Sequence, residues 1–561
     1  MAQTATQAGA MKPEVFTRKA SGLVRVMSPY SAFVYNILTM GLIFPWTYLW
    51  APGALPGGRL VWGILLAMLF EIPIAYVYVW LSTALPRSGG DYVFQSRVFG
   101  GGVAFTVVMS GFVIWILQWV ALSGWLVSYL GFAPLFLGLG ATLGNAGLST
   151  LGVWFTTPAG IVIVSIANAL LSLVLLVSGF KNYVRFQHVM WWGTLAAFVV
   201  VFIVLFTTPA AEFVDRLNRF AVASGGAPNF YQNAVAAVQN AGIDLHPPFS
   251  LLATLLIAPI AWTSLQWATY SAQQNGEIKD ARSFQAQTFI MVGSLIATGL
   301  LLALLAVGIE RVAGSEFLTV AGAGYWSLIA EANINVGAVS FNLWPPIIAV
   351  ALTASPFVVL IIGLGYILNG FQIVCNCYIG MTRVMVAMSL DRLLPEWFSK
   401  VDEKLHTPVN AHLAYFLASI PVILAYNLVA GWIGLTLGVT FGCGYVFVVT
   451  CIAGALLPYR ARELYEASPG SKYKLGSLPL ITVLGVLGGI LGTLMVLAFL
   501  FAPQLGVLGN WNFENFPAGL WAQIIAFGII LLSAIWYLIA KNTQKSKGIN
   551  VEFAFKEVPP E

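Results

Sequence analysis

The sequence predicts an all-α integral membrane protein of twelve transmembrane helices. Three observations carry that reading: the scarcity of charge, the length of the charge-free intervals, and the side of each interval on which basic residues fall. The chain has 561 residues, of which 59% are hydrophobic and 8% charged. A soluble chain carries about 25% charged residues, so this one could not cover a water-facing surface. Lipid is its solvent. That excludes a cytosolic enzyme, a nucleic-acid binder and a disordered scaffold.

A spanning helix needs about 20 apolar residues. Candidate spans fall at 29–50, 60–85, 103–131, 157–179, 187–208, 250–274, 287–309, 345–380, 411–430, 433–457, 479–502 and 519–540. With the N-terminus in the cytoplasm, the inside segments hold 22 of the 26 Lys and Arg, leaving Arg59, Arg216, Arg219 and Arg311 outside. The opposite orientation inverts that ratio, so the positive-inside rule selects the first. Residues 98–180 carry no charge although both flanks are basic, so two spans fit there around a Gly-rich hairpin near 131–156, with Trp154 at the interface. The first 22 residues lack the apolar stretch of a signal peptide.

The predicted order is a cytoplasmic segment (1–28), helices 1–5 (29–208), an extracytoplasmic loop (209–249), helices 6–10 (250–457), a cytoplasmic loop (458–478), helices 11–12 (479–540) and a cytoplasmic tail (541–561). Within the first loop, Phe220 to Gly242 reads as a short surface helix or a plain capping loop. Cys375, Cys377, Cys443 and Cys451 lie in apolar stretches and read as free structural thiols, since residues two apart on a helix face different ways.

The first and sixth spans are not smooth apolar cylinders. The first carries Ser28, Tyr30, Ser31, Tyr35, Asn36 and Thr39, with Gly41 and Pro45 following. The sixth reads Pro259-Ile260-Ala261-Trp262-Thr263-Ser264-Leu265-Gln266-Trp267. Helices interrupted at membrane depth survive only around a cavity. Two of them in corresponding positions of two halves point to a transporter site between inverted repeats; hydrogen bonding to neighbouring helices is the plainer reading.

Three further stretches carry a resemblance. Leu85-Pro86-Arg87-Ser88-Gly89-Gly90-Asp91-Tyr92 resembles the loop between helices 2 and 3 of the amino acid–polyamine–organocation (APC) family. Glu277-Ile278-Lys279-Asp280-Ala281-Arg282 resembles its segment after helix 6. Met381-Thr382-Arg383 through Asp391-Arg392-Leu393-Leu394-Pro395 to Thr407-Pro408 resembles the stretch after helix 8. The resemblance covers about residues 18–460. It implies a LeuT-type fold, with helices 1–5 and 6–10 as inverted repeats plus two appended helices, and helices 1 and 6 broken. It also implies secondary transport by alternating access. The substrate carboxylate would lie at a half-helix N-terminus, where the dipole favours an anion.

By alignment the resemblance assigns substrate binding to Ser31, Ala32, Tyr35 and Asn36 of helix 1, and to Trp262, Thr263, Ser264, Leu265 and Gln266 of helix 6. Ala32, Thr194, Thr382 and Glu71 are the ion-coupling candidates. Three departures stand out. Tyr30, Ala32, Asn36 and Leu38 replace the small residues of the first break. Gln266 and Trp267 occupy the glycine region of the second. Thr194 stands where some proton-coupled relatives have lysine; a hydroxyl can line a sodium site but does not titrate, which tilts the coupled ion toward sodium with H+ as the alternative.

Glu71 is the one acid inside a span, and an intramembrane carboxylate is by default a functional candidate. It reads either as a proton carrier or as a protonated acid satisfied by carbonyls that Pro73 frees. His188 and His412 read as structural imidazoles. Arg383 marks the inner end of helix 8, or a gate pairing with Asp91 or Glu277. A single intramembrane carboxylate disfavours strongly cationic substrates and favours neutral or apolar amino acids.

The expected function is a cell-membrane, multi-pass secondary transporter of amino acids driven by a cation gradient. The alternatives are a carrier of polyamines or other organic amines, and a transport-dead sensor that keeps the fold. The expected partners are a small-molecule substrate and the lipid bilayer, without nucleic acid, cofactor or metal; the oligomeric state stays open. A membrane enzyme is disfavoured, because the outside acids are scattered and no His-Glu-x-x-His motif occurs.

Overall fold

The computed structural model describes residues 22–42, 47–326, 328–336 and 339–556. Among them, eleven helices are long and apolar enough to cross a membrane. The twelfth crossing is the first, which no length criterion finds because it comes in two pieces: span 1a (Pro29–Met40) and span 1b (Thr47–Ala54). Span 2 is Leu60–Ala84, span 3 Gly101–Leu143, span 4 Pro158–Val177 and span 5 Phe180–Thr207. Span 6 runs from Leu251 to Glu277, first as an α-helix (6a, Leu251–Leu265) and then as a 3-10 segment (6b, Gln266–Glu277). Span 7 begins the run Phe284–Tyr325, followed by span 8 (Pro356–Leu390), span 9 (Val409–Leu428), span 10 (Trp432–Arg460), span 11 (Leu480–Phe501) and span 12 (Ala518–Ser546). Pro45 lies outside the described residues.

The interruptions fall in the first and the sixth spans, which are five spans apart in chain order. Span 11 packs on spans 10 and 2.

Capping sets the starts of these helices. Ser28 accepts from the Ser31 N–H, Thr157 from Gly160, Ser250 from Ala253 and Ser355 from Val358, with proline in the first turn after Ser28, Thr157 and Ser355. Each cap satisfies a backbone donor that the helix itself leaves open.

Span 8 differs from the sequence reading. Its first predicted residues form a separate short helix, Pro345–Ala351, and the span itself starts at Pro356 and continues to Leu390. Arg383 therefore lies two turns inside the helix rather than at its end. It is fully buried in protein, so its charge marks no membrane boundary. The hairpin near 131–156 is helical, with Ala146–Trp154 folding back on the end of span 3. The loop after span 5 holds two short helices, Phe213–Ala223 and Phe230–Asn240, where one was expected.

The connections that follow spans 2, 6 and 8 meet at one end of the bundle, termed the basic end. Here Gly89 and Gly90 dock the span 2–3 connection onto 6b. The Gly89 N–H donates to the Gln273 carbonyl at 2.7 Å. A Cβ on Gly90, at φ +33°, would lie 2.9 Å from the Ala272 carbonyl carbon and oxygen. Residues 541–555 also return to this face: the ring of Phe555 covers Gly101, and Lys541 pairs with Glu552 at 2.6 Å.

Candidate functional site

Span 1a stops at Gly41, whose φ of 78° and ψ of 86° end the helix in the left-handed region. The backbone turn is then completed by side chains of span 8. Asn369 Nδ2 donates to the Leu38 carbonyl at 3.2 Å, and Asn376 Nδ2 donates to Thr39 Oγ1 at 2.6 Å and the Tyr35 carbonyl at 3.4 Å. Gln372 Nε2 donates to Asn376 Oδ1 at 2.8 Å. Asn369, Gln372 and Asn376 are all buried on one face of span 8, at the i, i+3, i+7 spacing of a single helical stripe.

Span 6 changes from α to 3-10 geometry between Leu265 and Gln266, with helical dihedrals at both residues, and leaves helical geometry at Gln274 (φ −112°, ψ 29°). The Trp267 indole N–H donates back to the Thr263 carbonyl at 2.9 Å, satisfying an acceptor that the change of helix type frees, and Thr440 of span 10 donates to the Thr263 hydroxyl at 3.1 Å. The Trp267 ring is enclosed by Phe112 and Trp119 of span 3, Tyr270 of 6b and Phe447 of span 10, at centroid distances of 5.2–6.4 Å. Phe112 belongs to a π-helical turn, Met109–Ile114, of the kind that often marks functional sites. Gln266 Oε1, Tyr270 OH, Asn369 Oδ1 and Gln372 Oε1 are buried without a hydrogen-bond partner among the protein atoms. None of these wall residues is charged.

The structure distributes the expected substrate residues unequally. Asn36 bridges the two broken spans: Nδ2 donates to Ala268 O at 2.6 Å, Ser271 Oγ at 3.0 Å and Ile290 O at 3.1 Å, and Oδ1 accepts from the Ser271 N–H at 2.9 Å. Its amide is thus fully engaged in holding spans 1, 6 and 7 together. Tyr35 stacks on Tyr270 with centroids 6.0 Å apart. Ala32 is buried in the same helix, and Ser31 meets Gln187 and His188 of span 5. Ser31 lies ten residues before Gly41, about 15 Å along a helix. Thr263, Ser264, Leu265 and Gln266 are buried at the change of helix type in span 6. Trp262 turns the other way, toward spans 2 and 10; its indole N–H donates to Glu71 Oε2 at 2.6 Å.

The ion candidates are not gathered at one point. The segment of span 5 around Thr194 faces Gly365 and Leu368 of span 8, whereas Thr382 is about 20 Å further along that helix at 1.5 Å per residue. Thr382 Oγ1 bonds the Tyr378 carbonyl of its own helix and sits 3.3 Å from the Arg383 guanidinium, a poor neighbour for a bound cation.

The basic end is closed by buried polar contacts. Arg383 pairs bidentately with Glu277, Nε to Oε2 at 2.7 Å and Nη2 to Oε1 at 2.9 Å. Arg97 lies 3.3 Å from Asp391, which also accepts from Tyr92 at 2.9 Å. Asp91 accepts from Tyr78, from Thr450 at 2.5 Å and from Gln273 at 2.5 Å. It lies on Gly90–Phe99, outside the spans. Burial pushes its carboxyl up to about 6, and the hydrogen bonds from Thr450, Tyr78 and Gln273 offset part of that rise.

The sequence reading missed the span 8 amides, the Trp119–Phe112 wall and Thr440. The amides did leave a signal: three carboxamides at helical spacing in an otherwise apolar helix.

Comparison with known proteins adds three findings. A family model described as amino acid permease matches residues 29–534. An uncharacterized transporter of Legionella pneumophila is 24% identical over 488 residues, 85% of this chain and 89% of that protein. A 102-residue stretch is 31% identical to an uncharacterized protein of Sulfolobus islandicus rod-shaped virus 1, which covers 17% of this chain and only 26% of the viral protein's length.

Proposed function

The chain belongs to the amino acid permease family and is a membrane transporter, not an enzyme; from that premise we propose that it carries neutral or apolar amino acids across the cell membrane, by alternating access, with both termini cytoplasmic. One observation carries the substrate class. Spans 1 and 6 break side by side, tied through Asn36, inside an aromatic wall that holds no charged side chain. The C-terminal end of 1a directs carbonyls at the break, which favours a substrate ammonium. Tyr270 OH, buried beside this segment with no hydrogen-bond partner among the protein atoms, can donate to a carboxylate. A zwitterion can be held by these polar groups without protein charges, and Trp267, Trp119 and Phe112 offer its side chain an apolar surface.

The test is counterflow exchange in proteoliposomes with radiolabelled L-leucine, L-alanine, L-arginine and putrescine. Leucine and alanine are expected to exchange, and arginine and putrescine to remain at the level of empty vesicles. Exchange of arginine or putrescine alone would replace this reading with an organic-cation carrier bound through aromatic faces.

A further inference from the structure

Glu71 and Asp91 are held by opposite halves of the broken sixth helix. Trp262, in the last turn of 6a, donates to Glu71, and Gln273, in 6b, donates to Asp91. We propose that these two acids form a proton pathway that couples helix 6 to the proton gradient, with Glu71 as the mid-membrane station and Asp91 as the station at the basic end. The inference rests on the transporter reading above and names its coupled ion.

Glu71 is fully buried in span 2. Oε2 accepts one hydrogen bond, from Trp262, and Oε1 is buried with no partner. An ionised carboxylate with one donor in apolar surroundings carries a penalty that a proton on Oε1 removes. The indole bond is stronger to the ionised oxygen than to the protonated acid. Proton arrival therefore loosens 6a and proton departure grips it, and by linkage a substrate that moves 6a changes the proton affinity of Glu71 by the same factor.

Tyr78 is seven residues on from Glu71, on the same face of span 2 and about 10 Å along it, and its hydroxyl donates to Asp91. Thr450 of span 10 donates to Asp91 as well, and Cys451 beside it lies within electrostatic reach of both acids. Few other ionisable groups face the pair. Span 10 adds Cys443 near Asp91. Span 8 adds Arg383 and Asp391, which are committed to Glu277 and Arg97. The described side chains of 6a and span 11 include no ionisable group. Span 7 meets span 2 at Gly299 opposite Met68, and its first ionisable group, Glu310, lies eleven residues beyond, near Arg59. The value of about 6 for Asp91 suits release near neutral pH.

The experiment uses the full chain in proteoliposomes under a one-unit inward pH gradient with L-leucine as probe, alongside an infrared pH titration of the same vesicles without substrate. One proton per leucine supports up to tenfold accumulation. Glu71→Gln is expected to equilibrate leucine to a ratio of one without concentrating it, and to lose one titrating carboxylic C=O band. Asp91→Asn is expected to slow accumulation, and Asp91→Glu to restore it. Wild-type accumulation by Glu71→Gln, or accumulation driven by sodium alone, overturns the coupling. Equal rates in the Asn and Glu variants remove Asp91 from the route. Should wild-type protein move no amino acid, the transport reading fails; the infrared titration then decides on Glu71 alone, and an unchanged band in Glu71→Gln overturns its assignment.

Discussion

Arg383 is fully buried, and its surroundings account for every face of the guanidinium. The Nε–Nη2 edge makes the bidentate pair with Glu277, the ring of Phe180 lies 4.9 Å from the guanidinium carbon, and His412 Nε2 is 3.1 Å from Nη1. Since arginine only donates, His412 accepts through Nε2, so its imidazole is neutral with the hydrogen on Nδ1. A pair of this kind adds little net stability over apolar residues of similar shape, yet removing one partner strands a buried charge at a cost of about 3–5 kcal/mol. Arg383→Met is therefore expected to lower the thermal unfolding midpoint in detergent sharply. Adding Glu277→Gln is expected to recover much of the loss, because the stranded carboxylate is gone. A double variant no more stable than Arg383→Met would mean that packing, not charge, sets the penalty. Lysine is no substitute here, since it cannot span both carboxylate oxygens.

At the scale of elements, the two breaks differ in how far the sequence discloses them. The sixth was legible from the cluster Trp262 to Trp267, and the helix does change type at Gln266. The first was sought between Tyr30 and Leu38 but falls at Gly41. The polar residues in between do not weaken the helix, because Asn36 and Thr39 find partners on 6b, span 7 and span 8. Such partners come from residues some 230–340 positions away, which no local pattern reports. Span 8 was displaced for a related reason: a count of charges treats Arg383 as a boundary, whereas the structure shows the other reading of that residue, the pairing with Glu277, which buries the charge inside the helix bundle. Gly41 is the element-scale test. A β-branched residue at φ 78° pays roughly 1–2 kcal/mol for the left-handed conformation and drives span 1a to continue or to bend elsewhere. Gly41→Val is expected to abolish leucine counterflow while the protein stays monodisperse on size exclusion. Counterflow at the wild-type rate would show that the break does not form part of the transport path.

For the whole molecule, the asymmetry of charge and the asymmetry of closure coincide. The segments that the sequence assigns to the inside hold 22 of the 26 Lys and Arg, and the described connections among them are where Arg383–Glu277, Arg97–Asp391 and the Asp91 cage join spans 2, 6, 8 and 10. Basic loops are retained on the cytoplasmic side during insertion, so the sealed end is expected to face the cytoplasm. The four native cysteines are free and buried, which leaves a low labelling background. Single cysteines at exposed positions on opposite ends, Asn240→Cys after span 5 and Ser546→Cys at the end of span 12, then report orientation. A membrane-impermeant maleimide is expected to label Asn240→Cys on intact cells and Ser546→Cys only after permeabilisation. The reverse pattern would place Glu71 and Asp91 in the opposite order along the proton gradient, with Asp91 as the entry station and Glu71 filled from it, and an inward pH gradient would then load the chain from its sealed end.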